Sequence, residues 1–307
     1  CDSTAILNLT INQLDTSYTN ITACDSLVWN GTTYAQSGTY ITSLGSDNNY
    51  SMSFDGVDDY VDIGTPVQLT EDDDATISVW MNSNTYGPTS MGELHDVLIT
   101  NDTDPTNPEF LLGVDQQGYI FIQTGNGGAS GSSINHNSNL NVLDGIWHNI
   151  VVTKNPIPNT NTSELVVYID GINVRTATVS GNWQSSINDS FFLGIERTNG
   201  HRSYLGLIDD VAIFDYALNQ QEIQQYMNCP PTGNEAGLVG YWNFEEGSGT
   251  TVYDQTSNGN DGIINGATYD TNVPSQSCAL TSTNGCDSTA ILNLTINQAD
   301  TSYTNIT

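Results

Sequence analysis

Two acidic segments hold the side chains best suited to chemistry. FDGVDDY carries Asp55, Asp58 and Asp59, and LIDDVAIFD carries Asp209 and Asp210. Aspartates gathered at strand ends beside glycine turns are the residue types that collect hard divalent cations, which take six to eight oxygens from carboxylates, carbonyls and water. The competing reading is that they form turns and solvated strand edges. Neighbours on an ideal strand face opposite ways, so one of Asp209 and Asp210 is the expected ligand and the other bonds nearby backbone. Glu245 and Glu246 form a further acidic pair. Glycosidases hold two carboxylates about 5 to 10 Å apart across the scissile bond; adjacent strand residues do not, and EEGSG reads as a turn. His148, after Trp147, reads as a core or edge histidine, and no Ser or Cys stands in a nucleophile motif. The chain therefore predicts a binding protein and no catalytic residue. Tyr86, Trp183, His201 and Tyr204 lie in or beside polar loops, where aromatic faces stack on sugars; the alternative is that they cap the core.

The elements that must position these residues are strands. Residues 164–174 (ELVVYIDGINV) alternate Val166 and Tyr168 against Val167 and Ile169 before an Asp170-Gly171 hairpin turn. Some dozen such short runs, separated by Gly, Asn and Asp, predict an all-β antiparallel sandwich. Asn219 to Met227 alone reads as helix, with Asn219 and Glu222 spaced as a capping box. GNGGASGSSINHNSN at 125–139 reads as a long polar loop. The charge balance is extreme: 35 acids face four Lys and Arg, for a formal net charge of −31. This excludes nucleic acid and anionic lipid surfaces as partners, since both need basic patches. No apolar run is long enough to predict a membrane span.

A long repeat frames the chain. Residues 1–22 (CDSTAILNLTINQLDTSYTNIT) recur at 286–307, with Leu14 against Ala299 as the one difference. Such a spaced repeat predicts one period of a tandem array and the start of the next, so neighbouring repeats of the same chain are expected partners. AILNLTINQ alternates as a half-buried strand, and Asn30-Gly31 between LVW and TTY is a strong hairpin signal.

Two resemblances follow from these residues. ACDS…WNG…Y…SGTY (Ala23 to Tyr40) and NGCDSTA…LNLTI (Asn284 onward) resemble the two halves of a small Ig-like module found in tandem in surface proteins of Bacteroidota. The segments SMSFDGVDDYVDIG, ATISVWMN, LDGIWHNIVVTK, ELVVYIDGINV, GLIDDVAIFDYALNQQEI and GLVGYWNFEEGSG…NGNDGIINGATY resemble the laminin-G-like, concanavalin-A-like jelly roll. The implied organisation is an inserted sandwich at 47–280 within a split Ig-like module at 14–46 and 281–298. Residues 1–13 would be the last strand of the preceding module, and 299–307 the start of the next. In the family the YWNFEEGSG segment usually precedes the FDGVDDYV strand, whereas here it follows. The sandwich is therefore expected to be circularly permuted, with 237–273 returning beside 51–63; a truncated second copy is the alternative.

The laminin-G-like resemblance implies a structural Ca2+ between the FDGVDDY and LIDDV segments, drawing on Asp55, Asp58, Asp59, Asp209 and Asp210. Together with the tandem repeat and the Ig-like resemblance, it implies one repeat of a large, type IX secreted cell-surface adhesin or filament of the gliding or attachment kind, anchored at the outer membrane and contacting surfaces or polysaccharide. A carbohydrate-binding module of a secreted polysaccharide-degrading enzyme and a purely structural spacer are the alternatives. Five Cys without metal-ligand spacing fit an oxidising setting. Cys229 with Cys278 would staple the returning segment, and Cys24 with Cys286 would join the two Ig-like halves; Cys1 with Cys24 is the competing pairing. Ser3, Ser26 and Ser288, each after an Asp, resemble the short O-glycosylation motif of Bacteroidota envelope proteins.

Overall fold

The computed structural model describes residues 17–24, 27–29, 32–34, 38–42, 48–66, 73–87, 95–101, 109–125, 132–135, 140–160, 162–180, 190–196, 202–276 and 290–297. The chain forms two compact units, one from 1–46 with 277–307 and one from 47–276. In the first, β1 (Ser17–Cys24), β2 (Leu27–Trp29), β3 (Thr32–Tyr34) and β4 (Gly38–Thr42) precede the larger unit in sequence. β2 and β3 pair antiparallel, with Trp29 opposite Thr32, as the Asn-Gly signal predicts.

The larger unit contains β5 (Ser51–Asp55), β6 (Tyr60–Asp62), β7 (Ala75–Asn82), β8 (His95–Thr100), β9 (Glu109–Asp115), β10 (Ile120–Gly125), β11 (Ser132–Asn135), β12 (His148–Pro156), β13 (Thr162–Ile169), β14 (Ile172–Ser180), β15 (Phe192–Leu193) and β16 (Leu205–Phe214). Helix α1 (Gln220–Asn228) follows, then β17 (Leu238–Trp242), β18 (Thr251–Val252), β19 (Gly262–Asn265) and β20 (Thr268–Asp270). The smaller unit ends with β21 (Ala290–Asn297), which lies between β1 and β4.

Two antiparallel sheets face each other in the larger unit. One runs β11-β10-β9-β8-β15-β6-β19-β18, and the other β14-β13-β12-β7-β16-β5-β20, with β17 also paired to β16. The returning segment contributes to both, since β19 pairs with β6 and β20 with β5. Trp242 and Phe244 from this segment are fully buried between the sheets with Met52, Val61 and Ile213. Truncating such an aromatic to Ala costs about 3–5 kcal/mol.

β13 shows why its alternation is so apolar. Leu165, Val167 and Ile169 face the main core, while Val166 and Tyr168 join a second cluster with Phe214, Leu218 and Ile223. Ile223 is the buried residue of α1, so this helix covers one outer face of the sheet. Asn219 caps α1 by accepting from Gln221 N and Glu222 N, and Glu222 bonds the Asn219 amide in return. Gln220 and Gln224 Nε2 both donate to Gly171 O, seating the helix on the β13–β14 hairpin. That turn uses positive φ at Asp170 and Gly171, as Asp-Gly predicts. β11 is a correction to the sequence reading: Ser132 to Asn135 pairs antiparallel with β10. Its polar composition gave no alternation to read, and the ladder to β10 supplies the order instead.

Candidate functional site

The FDGVDDY segment is built as a tight acidic turn at the end of β5. Asp55 Oδ1 accepts from Val57 N at 2.8 Å, and Asp59 Oδ2 accepts from Asp55 N at 2.9 Å. Ser203 Oγ donates to Val57 O at 2.7 Å, fixing the turn from outside. Gly266, at φ +80°, is forced by this arrangement, because a Cβ there would stand 2.0 Å from Asp59 Oδ1. One carboxylate oxygen from each of Asp55, Asp58 and Asp59 lies within 4.8 Å of the others. Burial raises the Asp59 pKa, and the neighbouring charges of Asp55 and Asp58 add to the rise, while the Asp55 amide opposes it. Three convergent carboxylates with oxygen donors alone match the demands of a hard divalent cation, which Asp55, Asp58 and Asp59 would hold with water completing the shell.

Asp209 and Asp210 do not belong to this group, and the expectation of one ion shared by the two segments is corrected. β5 and β16 are antiparallel, with Asp55 opposite Leu205 and Met52 opposite Ile208. Asp209 therefore lies at the other end of the pair, about 13 Å from Asp55 at roughly 3.3 Å per residue. The simple alternation of faces also fails here. A bulge breaks the β16–β7 register between Asp209 and Ala212, and Asp210 takes φ +46°.

The bulge brings both carboxyls to one pair of amides. Asn48 Nδ2 donates to Asp209 Oδ2 at 3.0 Å, and Gln276 Nε2 donates to Asp210 Oδ2 at 2.6 Å. Tyr241 OH donates to Asp210 Oδ1, and Asp209 Oδ1 accepts from Asp210 N at 2.8 Å. Burial drives both pKa values up, Asp210 to about 6; the Asp210 charge adds to the rise at Asp209, and the Glu245 charge adds to both. Glu245 itself accepts from Asn49 N, Asn49 Nδ2 and Tyr50 N. The carboxyls thus fasten the first residues of the unit, 48–50, and its last, Gln276. Asp210 also lines a small cleft under α1 with Asn149, Trp80 and Tyr226. Asn149 is 2% exposed and its Oδ1 has no hydrogen-bond partner among the described residues.

The predicted sugar-contacting aromatics are not one set. Tyr204 is a core residue, 0% exposed, with its ring edge-on to Phe54 and its OH within donating distance of Asn82 O and Leu207 O, one of which takes its single hydrogen. It cannot stack on a ligand, because the strand that follows directly at Leu205 turns it inward. Tyr86 is half-buried in the 83–87 loop. Trp183 and His201 lie outside the described residues, as do Ser3, Ser26, Ser288, Cys278 and Cys286. Cys229 is disulfide-bonded. An aromatic that the sequence reading passed over is Trp147, which is half-buried, with its Nε1 donating to Asn272 Oδ1 at 3.1 Å. Gly145 N donates to Ser83 O at 3.0 Å, tying the loop of Trp147 to that of Tyr86. Ile146, beside Trp147, is 58% exposed. Loop position next to an exposed apolar residue was the available signal.

Two further titratable groups support this end of the sandwich. His148 is held between Asp170 Oδ2 at 2.8 Å and Asp144 Oδ1 at 3.2 Å. Burial lowers its pKa, but the two carboxylates outweigh burial and the net shift is upward. Asp96, 1% exposed, accepts from Gly87 N at 2.7 Å through Oδ2, while its Oδ1 has no hydrogen-bond partner among the described residues. Burial pushes this carboxyl up to about 7.

Two facing antiparallel sheets with long connecting loops define a concanavalin-A-like sandwich. The chain belongs to the concanavalin A-like lectin/glucanases superfamily, whose family model matches residues 54–224. Among solved structures it is similar to a Bacteroides ovatus protein with a provisional assignment as carbohydrate binding (TM-score 0.53, 17% identity, covering 73% of this chain and 60% of that one). This chain thus spans about three fifths of that protein's length. It is also similar to a heptameric SAP-like pentraxin from Limulus polyphemus (TM-score 0.46, 13% identity, 73% and 95% covered). A third likeness is to domain 4 of an extracellular arabinanase from Geobacillus stearothermophilus in complex with arabinotriose (TM-score 0.42, 17% identity, 61% and 81% covered). No curated protein matches the chain. Among the described residues, no helix is long and apolar enough to cross a membrane.

Proposed function

We propose that the sandwich is a carbohydrate-binding module displayed by a repeat of a large, secreted, calcium-dependent surface adhesin, with the smaller, Ig-like unit as its connector. The observation that carries this reading is the Gly145–Ser83 hydrogen bond, which ties the Trp147 and Tyr86 loops together. Trp147 offers an indole oriented by Asn272, with the exposed Ile146 next to it in its own loop and the exposed Asn84 and Thr85 in the loop tied to it. An oriented aromatic face beside amide and hydroxyl groups is what a neutral sugar ring needs for stacking and hydrogen bonding. The likeness to the Bacteroides ovatus protein agrees with the choice of ligand, and the net charge of −31 favours neutral glycans over anionic ones.

The module is read as non-catalytic. Glu245 and Glu246 support this, because the first serves the amides of Asn49 and Tyr50 and the second accepts from Tyr253 N. The repeated ends and the acidic surface support placement in an extracellular array of the Bacteroidota type. The test is binding of the full chain to a panel of neutral and acidic polysaccharides by glycan array and affinity electrophoresis. Trp147→Ala should weaken binding about tenfold, equivalent to about 1.4 kcal/mol. Absence of binding to any neutral glycan would reject the module in favour of a structural spacer, and equal binding by the variant would move the site away from Trp147.

A further inference from the structure

The three-stranded sheet of the smaller unit is closed by its middle strand. β21 pairs parallel with β1 from Ser17 opposite Ala290 to Cys24 opposite Asn297. On its other side it pairs antiparallel with β4, from Ala290 opposite Thr42 to Leu294 opposite Gly38. Among the described residues, β1 and β4 are joined to each other only through it. The sequence of β21 is AILNLTIN, and the same eight residues stand at 5–12.

These two copies are not equivalent in what they can reach. A strand in β21's orientation runs parallel to β1, and parallel neighbours need a long crossover between them. Asn12 would have to finish beside Cys24, and the chain would then return to Ser17 at the far end of the strand. That return is about 23 Å at roughly 3.3 Å per residue. The link from Asn12 to Ser17 is five peptide steps, which reach about 18 Å when fully extended. Residues 5–12 therefore carry the sequence that fits between β1 and β4, yet are tethered too closely to fill that place in their own chain.

We infer that residues 5–12 are a donor strand for the β1–β4 slot of a second copy of this chain. The slot accepts them with the same backbone ladder and side chains that β21 offers, because the two sequences are identical. Donation in this sense is head-to-tail: one copy gives residues 5–12, and its own slot receives from another, an association that extends rather than closes. In a tandem array the same rule assigns each linking strand to the unit on its N-terminal side. In a single chain β21 fills the slot at high effective concentration and holds exchange in check.

The experiment uses the full chain and removes one copy's ability to pair at a time. Leu294→Pro deletes a ladder donor from the middle strand and disfavours β21 in its slot. This variant should form concentration-dependent head-to-tail oligomers by sedimentation and light scattering, because the N-terminal copy of a neighbour takes the place. Adding Leu9→Pro should return the mass to that of one chain, as should excess synthetic peptide of residues 2–13. The near-ultraviolet circular dichroism of the buried aromatics, Trp242 among them, reports separately that the sandwich stays folded in every variant. A Leu294→Pro chain that stays at single-chain mass at all concentrations overturns the proposal, as does oligomerisation that survives both Leu9→Pro and the peptide.

Discussion

Asn48 and Gln276 stand 228 residues apart and are joined side chain to side chain, Asn48 Nδ2 donating to Gln276 Oε1 at 3.0 Å. The same amides hold Asp209 and Asp210, so the two ends of the sandwich are fastened to its buried bulge.

The first prediction tests that fastening. Asn48→Ala should lower the unfolding free energy by about 1–3 kcal/mol, because it leaves a buried carboxyl without its donor. Gln276→Ala should act similarly, and the double variant should cost less than the two added together, since the groups share one network. Urea denaturation of the three proteins gives the coupling, and strict additivity would show that the amides act separately.

A second concerns pH. Asp96 has a folded pKa raised to about 7 by burial, and a raised acid is destabilising once it ionises. Its contribution is intact below the unfolded value near 3.8 and is lost as pH rises through about 7. His148 acts in the same direction, since its raised pKa means that stability is lost as the imidazolium between Asp144 and Asp170 deprotonates. The raised carboxyls of Asp209 and Asp210 act in the same direction, so stability in chelator should fall from about pH 4 to above pH 7. Asp96→Asn, which imitates the protonated carboxyl, should flatten the part below pH 7, and an unchanged slope would remove Asp96 as its source.

Calcium should stabilise the acidic turn. A ligand at a hundredfold excess over its Kd adds about 2.7 kcal/mol when it binds only the native state. The melting temperature should drop in chelator and recover with Ca2+, but not with Na+ at equal ionic strength. Gly266→Ala should abolish the recovery, because its Cβ collides with the Asp59 carboxylate. Recovery of the same size in that variant would move the ion elsewhere.

Tyr204 separates core from ligand surface. Tyr204→Phe removes a hydroxyl that donates to Asn82 O or Leu207 O and should cost about 1 kcal/mol in thermal unfolding, with no change in glycan affinity. A selective loss of binding would return this residue to the ligand site.

The sequence by itself determined the period-2 strands, the Asp170-Gly171 turn, the capping box at Asn219 and Glu222, and the sandwich class, because each depends on residues close together in the chain. It also marked Asp55, Asp58 and Asp59 as a group, since one turn gathers them. What only the tertiary structure decided depends on register between distant segments. Antiparallel pairing of β5 with β16 put Asp209 and Asp210 at the opposite end from Asp55, and a bulge that no local signal announced turned both toward Asn48 and Gln276. Tyr204, beside a loop in sequence, went inward because the strand after it packs against Phe54 and Asn82. Ser132 to Asn135 became a strand through its partner alone, since a polar edge gains its ladder from the neighbour and not from its own pattern.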